Sequence, residues 1–114
     1  MIIEEYIRNY ISTKLSSPVY TEIPKKDIPD KYYLIERTGG SHSNHIKRST
    51  LTIQSYAPSL YEAATLNEML KYCMEYNAIE LSDIVSISLD GDYNFTDSTM
   101  KRYRYQAVFD IVHY

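Results

Sequence analysis

The chain has no tryptophan, one cysteine, three glycines and four prolines in 114 residues. A single cysteine excludes an internal disulfide, which suits a reducing compartment such as a bacterial cytoplasm. Long apolar runs are missing too. The opening Met1-Ile2-Ile3-Glu4-Glu5-Tyr6-Ile7-Arg8 sets charges inside its apolar stretch, so neither a signal peptide nor a membrane span is expected there. There is no basic surplus: 12 Lys and Arg face 15 Asp and Glu, a formal net charge of -3. That balance excludes a general nucleic-acid binder, which needs cations to neutralise phosphates. No Gly-x-Ser-x-Gly elbow and no glycine-rich phosphate loop occurs, so no motif marks an enzyme. With 44% hydrophobic and 24% charged residues the chain is not disordered. Its length fits one domain, 1–114.

Tyrosine is what the chain has in excess, at 13 residues against two Phe. Its wide apolar face and polar tip suit surfaces that are wet before assembly and buried after it. An A/T-rich coding genome is the alternative explanation. The last quarter is the most patterned stretch. From Lys101 onward Tyr103, Tyr105, Ala107, Phe109 and Ile111 alternate with Arg102, Arg104, Gln106 and Asp110, the period of a strand with one wet face. Unbroken, it would run roughly 40 Å, so part of it is expected to project beyond the core.

Upstream, Ile3, Tyr6, Ile7, Tyr10, Ile11 and Leu15 recur at helical steps and predict an amphipathic helix ending near Ser16-Ser17-Pro18. Val19, Thr21 and Ile23 predict a short edge strand fenced by Pro24 and Pro29, and residues 25–31 a solvated loop. Tyr32 to Thr38 alternates as a second strand, with Leu34 opposite Tyr33 and Ile35. Gly39-Gly40-Ser41-His42-Ser43-Asn44-His45 then predicts a mobile hairpin tip, returning through a strand from Ile46 to Tyr56. Ser59 followed by Glu62 is a capping-box pattern that starts a helix at Leu60. Ala63, Leu66, Leu70, Cys73 and Met74 carry its apolar face to about Tyr76 or Asn77. Val85, Ile87 and Leu89 mark the core side of the penultimate strand, and Asp90-Gly91 opens its turn. The expected fold is α+β: a mainly antiparallel four- or five-stranded sheet with two helices on one face, in the order α-β-β-β-α-β-β.

The reactive residue types do not converge. His42 and His45 lack a third metal-ligating neighbour in sequence. Asp90, Asp92 and Asn94 open like a calcium loop, but Phe95 stands where that loop needs Gly and Lys101 where it needs Glu. Cys73 in mid-helix is expected as a buried small hydrophobe. Arg102-Tyr103-Arg104-Tyr105 interleaves bases and rings, yet a strand puts the arginines on one face and these tyrosines on the other. No catalytic residue, metal or cofactor is expected.

Two segments resemble a known family. Gln54-Ser-Tyr-Ala-Pro-Ser-Leu-Tyr-Glu-Ala-Ala-Thr-Leu66, and Asp92-Tyr-Asn-Phe-Thr-Asp97 with Arg102 through Tyr114, are similar to small morphogenesis proteins of long-tailed phages of Gram-positive bacteria, closest to the tail terminators. The resemblance covers about half of the chain. It implies an α+β subunit of a hexameric ring that caps the head-proximal end of the tail tube, stops its growth and joins it to the neck. The implied partners are further copies of the chain, the major tail tube protein and a neck or head-completion protein, with DNA passing through the lumen without specific binding and no membrane. The implied location is the virion tail or neck, reached from the host cytoplasm. Another neck component, such as a head-completion or adaptor protein, is the alternative. A small enzyme or a nucleic-acid-binding module is the more distant one. The candidate contact residues are Gly39, Gly40, Ser41, His42, Ser43, Asn44 and His45 of the tip, Tyr93 and Phe95 near the last turn, and Arg102 and Arg104 on the wet face.

Overall fold

The computed structural model describes residues 1–97, 99 and 102–114. It is an α+β fold of two helices and a five-stranded mixed sheet. In chain order the elements are α1 (Ile3–Lys14), β1 (Val19–Tyr20), β2 (Tyr32–Ser43), β3 (Ile46–Ala57), α2 (Leu60–Tyr72), β4 (Ile84–Asn94) and β5 (Tyr103–His113). The expected start of the last strand at Lys101 lies outside the described residues.

Strands lie side by side in the order β1-β2-β3-β5-β4. β2 with β3, β3 with β5 and β5 with β4 are antiparallel, while β1 runs parallel to β2. A uniform succession of hairpins therefore fails twice. The chain crosses back between β1 and β2, and β5 inserts between β3 and β4 instead of extending the sheet. Because β5 is paired on both sides, it is not the projecting strand that its length suggested.

One face of the sheet is covered by both helices. Ile3, Ile7 and Ile11 of α1 and Ala63, Leu66 and Leu70 of α2 share one buried cluster with Tyr33, Ile35, Leu51, Ile53, Ala107, Phe109 and Ile111. Burial of this size is the main favourable term for the fold, at roughly 1.5–3 kcal/mol for each large apolar side chain. Tyr33 is fully buried and donates its hydroxyl to the Leu66 carbonyl at 2.9 Å, tying β2 to α2. Burial pushes its hydroxyl pKa far up, so it stays a donor.

Val85 does not join this core. It is 45% exposed, because the pairing slips by one residue between Ile84 and Ser86. A bulge of this kind resets the two-residue alternation. Ile84 and Ile87 then both turn towards the helices, Ile84 buried and Ile87 packed against the cluster, and Val85 is the residue left out.

The glycine-rich tip is a strand, not a loop. β2 continues to Ser43, and Gly39 to Ser43 pair with Thr50 to Ile46 after a bulge at Thr38. Only Asn44 and His45 turn, at φ 52° and 66°. Two successive left-handed residues match the twist of flanking strands and close a hairpin tightly. Neither Gly39 nor Gly40 has positive φ, so the freedom of glycine is not what shapes this region.

α2 begins where the capping pattern puts it. Ser59 Oγ accepts from the Glu62 amide at 3.2 Å. The reciprocal bond differs from expectation: the Ser59 hydroxyl donates to the Glu62 carboxylate at 2.9 Å, and Lys31 also holds that carboxylate at 3.3 Å. These contacts keep the Glu62 pKa below its ordinary value, the Ser59 bond first and Lys31 second. The α-helix ends at Tyr72 and a π-helical turn, Cys73–Asn77, follows. Cys73 is buried there, and desolvation raises its thiol pKa.

Candidate assembly surface

The second face of the sheet carries no helix. Its side chains come from positions that alternate with the core: Tyr32 and Leu34 on β2, Thr50, Thr52, Gln54 and Tyr56 on β3, Arg104, Gln106 and Asp110 on β5, and Tyr93 on β4. At the end near the β1–β2 connection, Tyr32 and Tyr56 stack with ring centroids 4.6 Å apart and planes 9° apart. Tyr20 meets Tyr32 edge-on at 5.9 Å, and with Leu34 these rings form a small cluster separate from the main core. Register explains the stack, since Tyr32 and Tyr56 are directly opposed across β2 and β3. Opposed aromatics of this kind stabilise a sheet pair.

Polar groups extend this cluster across the face. Arg102 donates to the Tyr32 hydroxyl at 3.2 Å and Arg104 to the Tyr56 hydroxyl at 3.0 Å. Tyr56 donates to Gln54 at 2.8 Å, Gln54 to Gln106 at 2.8 Å, and Gln106 to the Tyr93 hydroxyl. The Arg104 guanidinium also donates to the Phe95 carbonyl at 2.6 Å and lies 4.5 Å from the Phe95 ring centroid. Tyr93 and Phe95 meet edge-on at 5.8 Å. A chain of mutually oriented donors and acceptors thus runs over β3, β5 and β4, and the Tyr32–Tyr56 stack joins β2 to it. Such a network holds its side chains in fixed positions before any partner arrives, which lowers the entropy cost of binding. Burial raises the Tyr32 hydroxyl pKa, opposed by the charge of Arg102. Tyr93 and Phe95 remain 47% and 40% exposed at the rim.

The expected contact residues therefore fall into two groups. Tyr93, Phe95, Arg102 and Arg104 come together in this network. Gly39 to His45 form the far end of the β2–β3 hairpin; Arg37, His42 and Lys47 from it border a hollow of about 430 Å³ beside the start of α1. Tyr103 and Tyr105 point to the helix side as their alternation implies, but they lie at its edge, exposed and half-buried. Sequence reasoning missed Tyr20, Tyr32 and Tyr56. The opposition of Tyr32 and Tyr56 was the available signal, hidden until the hairpin register is known. A further exposed aromatic group lies on the outer side of α2 and its π-helical extension, with Tyr61, Tyr72 and Tyr76 all more than 60% exposed.

Several groups with ligating chemistry make structural contacts. Asp92 accepts from Asn67 at 3.0 Å and from Lys71 at 3.2 Å, so its carboxylate bridges β4 to α2. Asn94 accepts from the Thr96 amide at 3.0 Å as a turn residue. Among the described residues no group of three or more His, Cys, Asp or Glu is placed to hold a metal ion. Ser49 Oγ and His113 Nε2 lie 2.9 Å apart. Both residues are under 5% exposed, and both line the hollow beside the start of α1. Among the described residues no helix is long and apolar enough to cross a membrane.

No protein-family model matches the chain, and no curated protein matches it in sequence.

Proposed function

We propose that the protein is a structural subunit that works by assembling, a tail terminator of a long-tailed phage. Copies of it form a ring on the head-proximal end of the tail tube, stop tube growth and present a surface to the neck. The observation that carries this reading is the uncovered sheet face, whose aromatic and arginine side chains are already locked into one network. Stacked rings at one end of the face, with arginines and exposed aromatics beside them, are residue types that protein contacts favour. Asp92 and Cys73, in contrast, are tied to α2 or buried. An acidic subunit also suits a lumen through which DNA slides, since few cations would displace the counterions of the duplex. The similarity of residues 54–66, 92–97 and 102–114 to tail terminators points the same way.

The test is electron microscopy and native mass spectrometry of the purified protein, alone and with tail tube protein. Rings that sit on tube ends and fix tube length are the expected result. A protein that stays monomeric at high concentration, even with tube ends present, overturns the proposal.

A further inference from the structure

The helix side of the sheet changes character beyond the start of α1. Three successive rows cross β2, β3 and β5 on that side: Arg37, Leu51 and Phe109, then Gly40, Ser49 and Ile111, then His42, Lys47 and His113. The first row ends on a cation, the second holds a buried hydroxyl, and the third has no apolar side chain. Apolar packing thus gives way to basic and hydrogen-bonding groups within two rows. Arg37, His42, Lys47, Ser49 and His113 line one hollow of about 430 Å³, with the start of α1, Ile2 to Glu4, as its other wall. That volume is of the size that takes a small molecule.

Charge and shape in the hollow suit an anion. Among the described residues neither Arg37 nor Lys47 has an ion-pair partner, and Glu4 is the one carboxylate in the lining. Glu36 does not cancel Arg37 there: consecutive strand residues point to opposite faces, and Glu36 pairs with Thr52 on the uncovered one. Gly40 makes room for the guanidinium, since a Cβ at that position would overlap Arg37. Its φ is not positive, so the need is for space and not for backbone freedom. Hydrogen bonds fix the Ser49–His113 pair. His113 Nδ1 lies 3.2 Å from the Tyr114 carbonyl, which only accepts, so Nδ1 donates. Nε2 meets the Ser49 hydroxyl at 2.9 Å. Both side chains are buried and so are held in place before a ligand arrives. A carboxylate, planar and singly charged, is satisfied by one guanidinium fork. Cations and hydroxyls from β2 and β3, beside an imidazole from β5, suit an anion with more charge and more oxygens.

We propose that this hollow binds a phosphate group, as the free ion or as the head of a small organic phosphate, held by Arg37 and Lys47 beside the Ser49–His113 pair. Ile2 and Ile3 border the remaining space and take the organic part. The site lies on the helix side of the sheet, away from the uncovered face, and does not depend on the ring reading.

Amide chemical shifts of the isotope-labelled protein, titrated at constant ionic strength with inorganic phosphate, phenyl phosphate and benzoate, test it. Saturable shifts at Gly40, Ser41, His42, Lys47 and Ser49 are expected with both phosphates. Tighter binding of phenyl phosphate assigns an ester, and tighter binding of inorganic phosphate assigns the free ion. Arg37→Gln and Lys47→Gln should each weaken phosphate binding by about tenfold, the loss of one charge-assisted hydrogen bond. Gly40→Ala should weaken it too, because the new methyl displaces the guanidinium while every charge stays. Arg48→Gln is the control: Arg48 follows Lys47 in the strand and points to the other face, so its loss should change binding by less than about twofold once distant charges are screened. All four positions are exposed, so the fold tolerates each change. The proposal is overturned by shifts that never saturate, by benzoate binding as tightly as phenyl phosphate, or by an Arg48→Gln loss equal to that of Lys47→Gln. None of these outcomes touches the ring reading, which the assembly experiment tests separately.

Discussion

The two faces of the sheet are held together by different physics. On the helix side Phe109, Leu51, Ile53 and Leu70 are wholly buried and packed without regard to direction. On the other side Tyr32, Tyr56, Gln54, Gln106 and Arg104 are held by hydrogen bonds and ring geometry. Apolar packing contributes stability in proportion to area and tolerates water only outside it. A directional network adds less net stability, since each bond replaces one to water, but it fixes positions. The covered face keeps the chain folded; the uncovered one sets out a surface.

Mutations that separate these contributions sharpen the contrast. Phe109→Ala should cost about 3–5 kcal/mol in chemical denaturation, as a large cavity in the core. Leu70→Ala should cost about 2–5 kcal/mol for the same reason, and a much smaller loss would mean that α2 can settle into the gap. On the other face, a double-mutant cycle with Tyr56→Leu and Arg104→Gln should return a coupling of about 0.5–2 kcal/mol, from one hydrogen bond and a cation–ring contact. A coupling as large as the core losses would erase the distinction. Ser59→Ala should cost about 1 kcal/mol through the lost cap of α2, with unchanged melting counting against that cap. Val85→Thr, at an exposed bulge, should fall within about 0.5 kcal/mol of the natural chain, and a core-sized loss there would contradict the bulge.

Legibility from sequence followed whether the deciding interaction was local. Both helix starts, the Ser59 cap and the burial of Ile7, Ile11, Leu66, Leu70, Phe109 and Ile111 could be read because spacing and neighbours suffice for them. Val85 could not, because its exposure depends on a one-residue slip against β5. Gly39 and Gly40 suggested a loose loop, yet strand pairing with Thr50 and Ser49 overrides the low strand propensity of glycine. The edge strand at Val19 was expected, but its parallel direction was invisible for the same reason: nothing within Val19 and Tyr20 says which way their partner runs. On the candidate surface, Arg102 and Arg104 could be placed on the wet face by alternation. The tyrosines that meet them come from β2 and β3, 70 and 48 residues away, and only the register shows that.

The interior position of β5 also bears on how the chain reaches this state. During synthesis β3 and β4 emerge before their shared neighbour, so each holds an open backbone edge until residues 103–113 arrive. Nearly all pairing of β3 beyond the first hairpin joins positions more than 45 residues apart, from Ala57 with Tyr103 to Lys47 with His113. Distant pairing slows folding, and waiting edges are where nascent chains stick to one another. The last strand made is the one that seals the middle of the sheet, so a ribosome-bound chain stalled before Tyr103 should be caught by chaperones far more than one stalled a ribosomal tunnel's length past Tyr114.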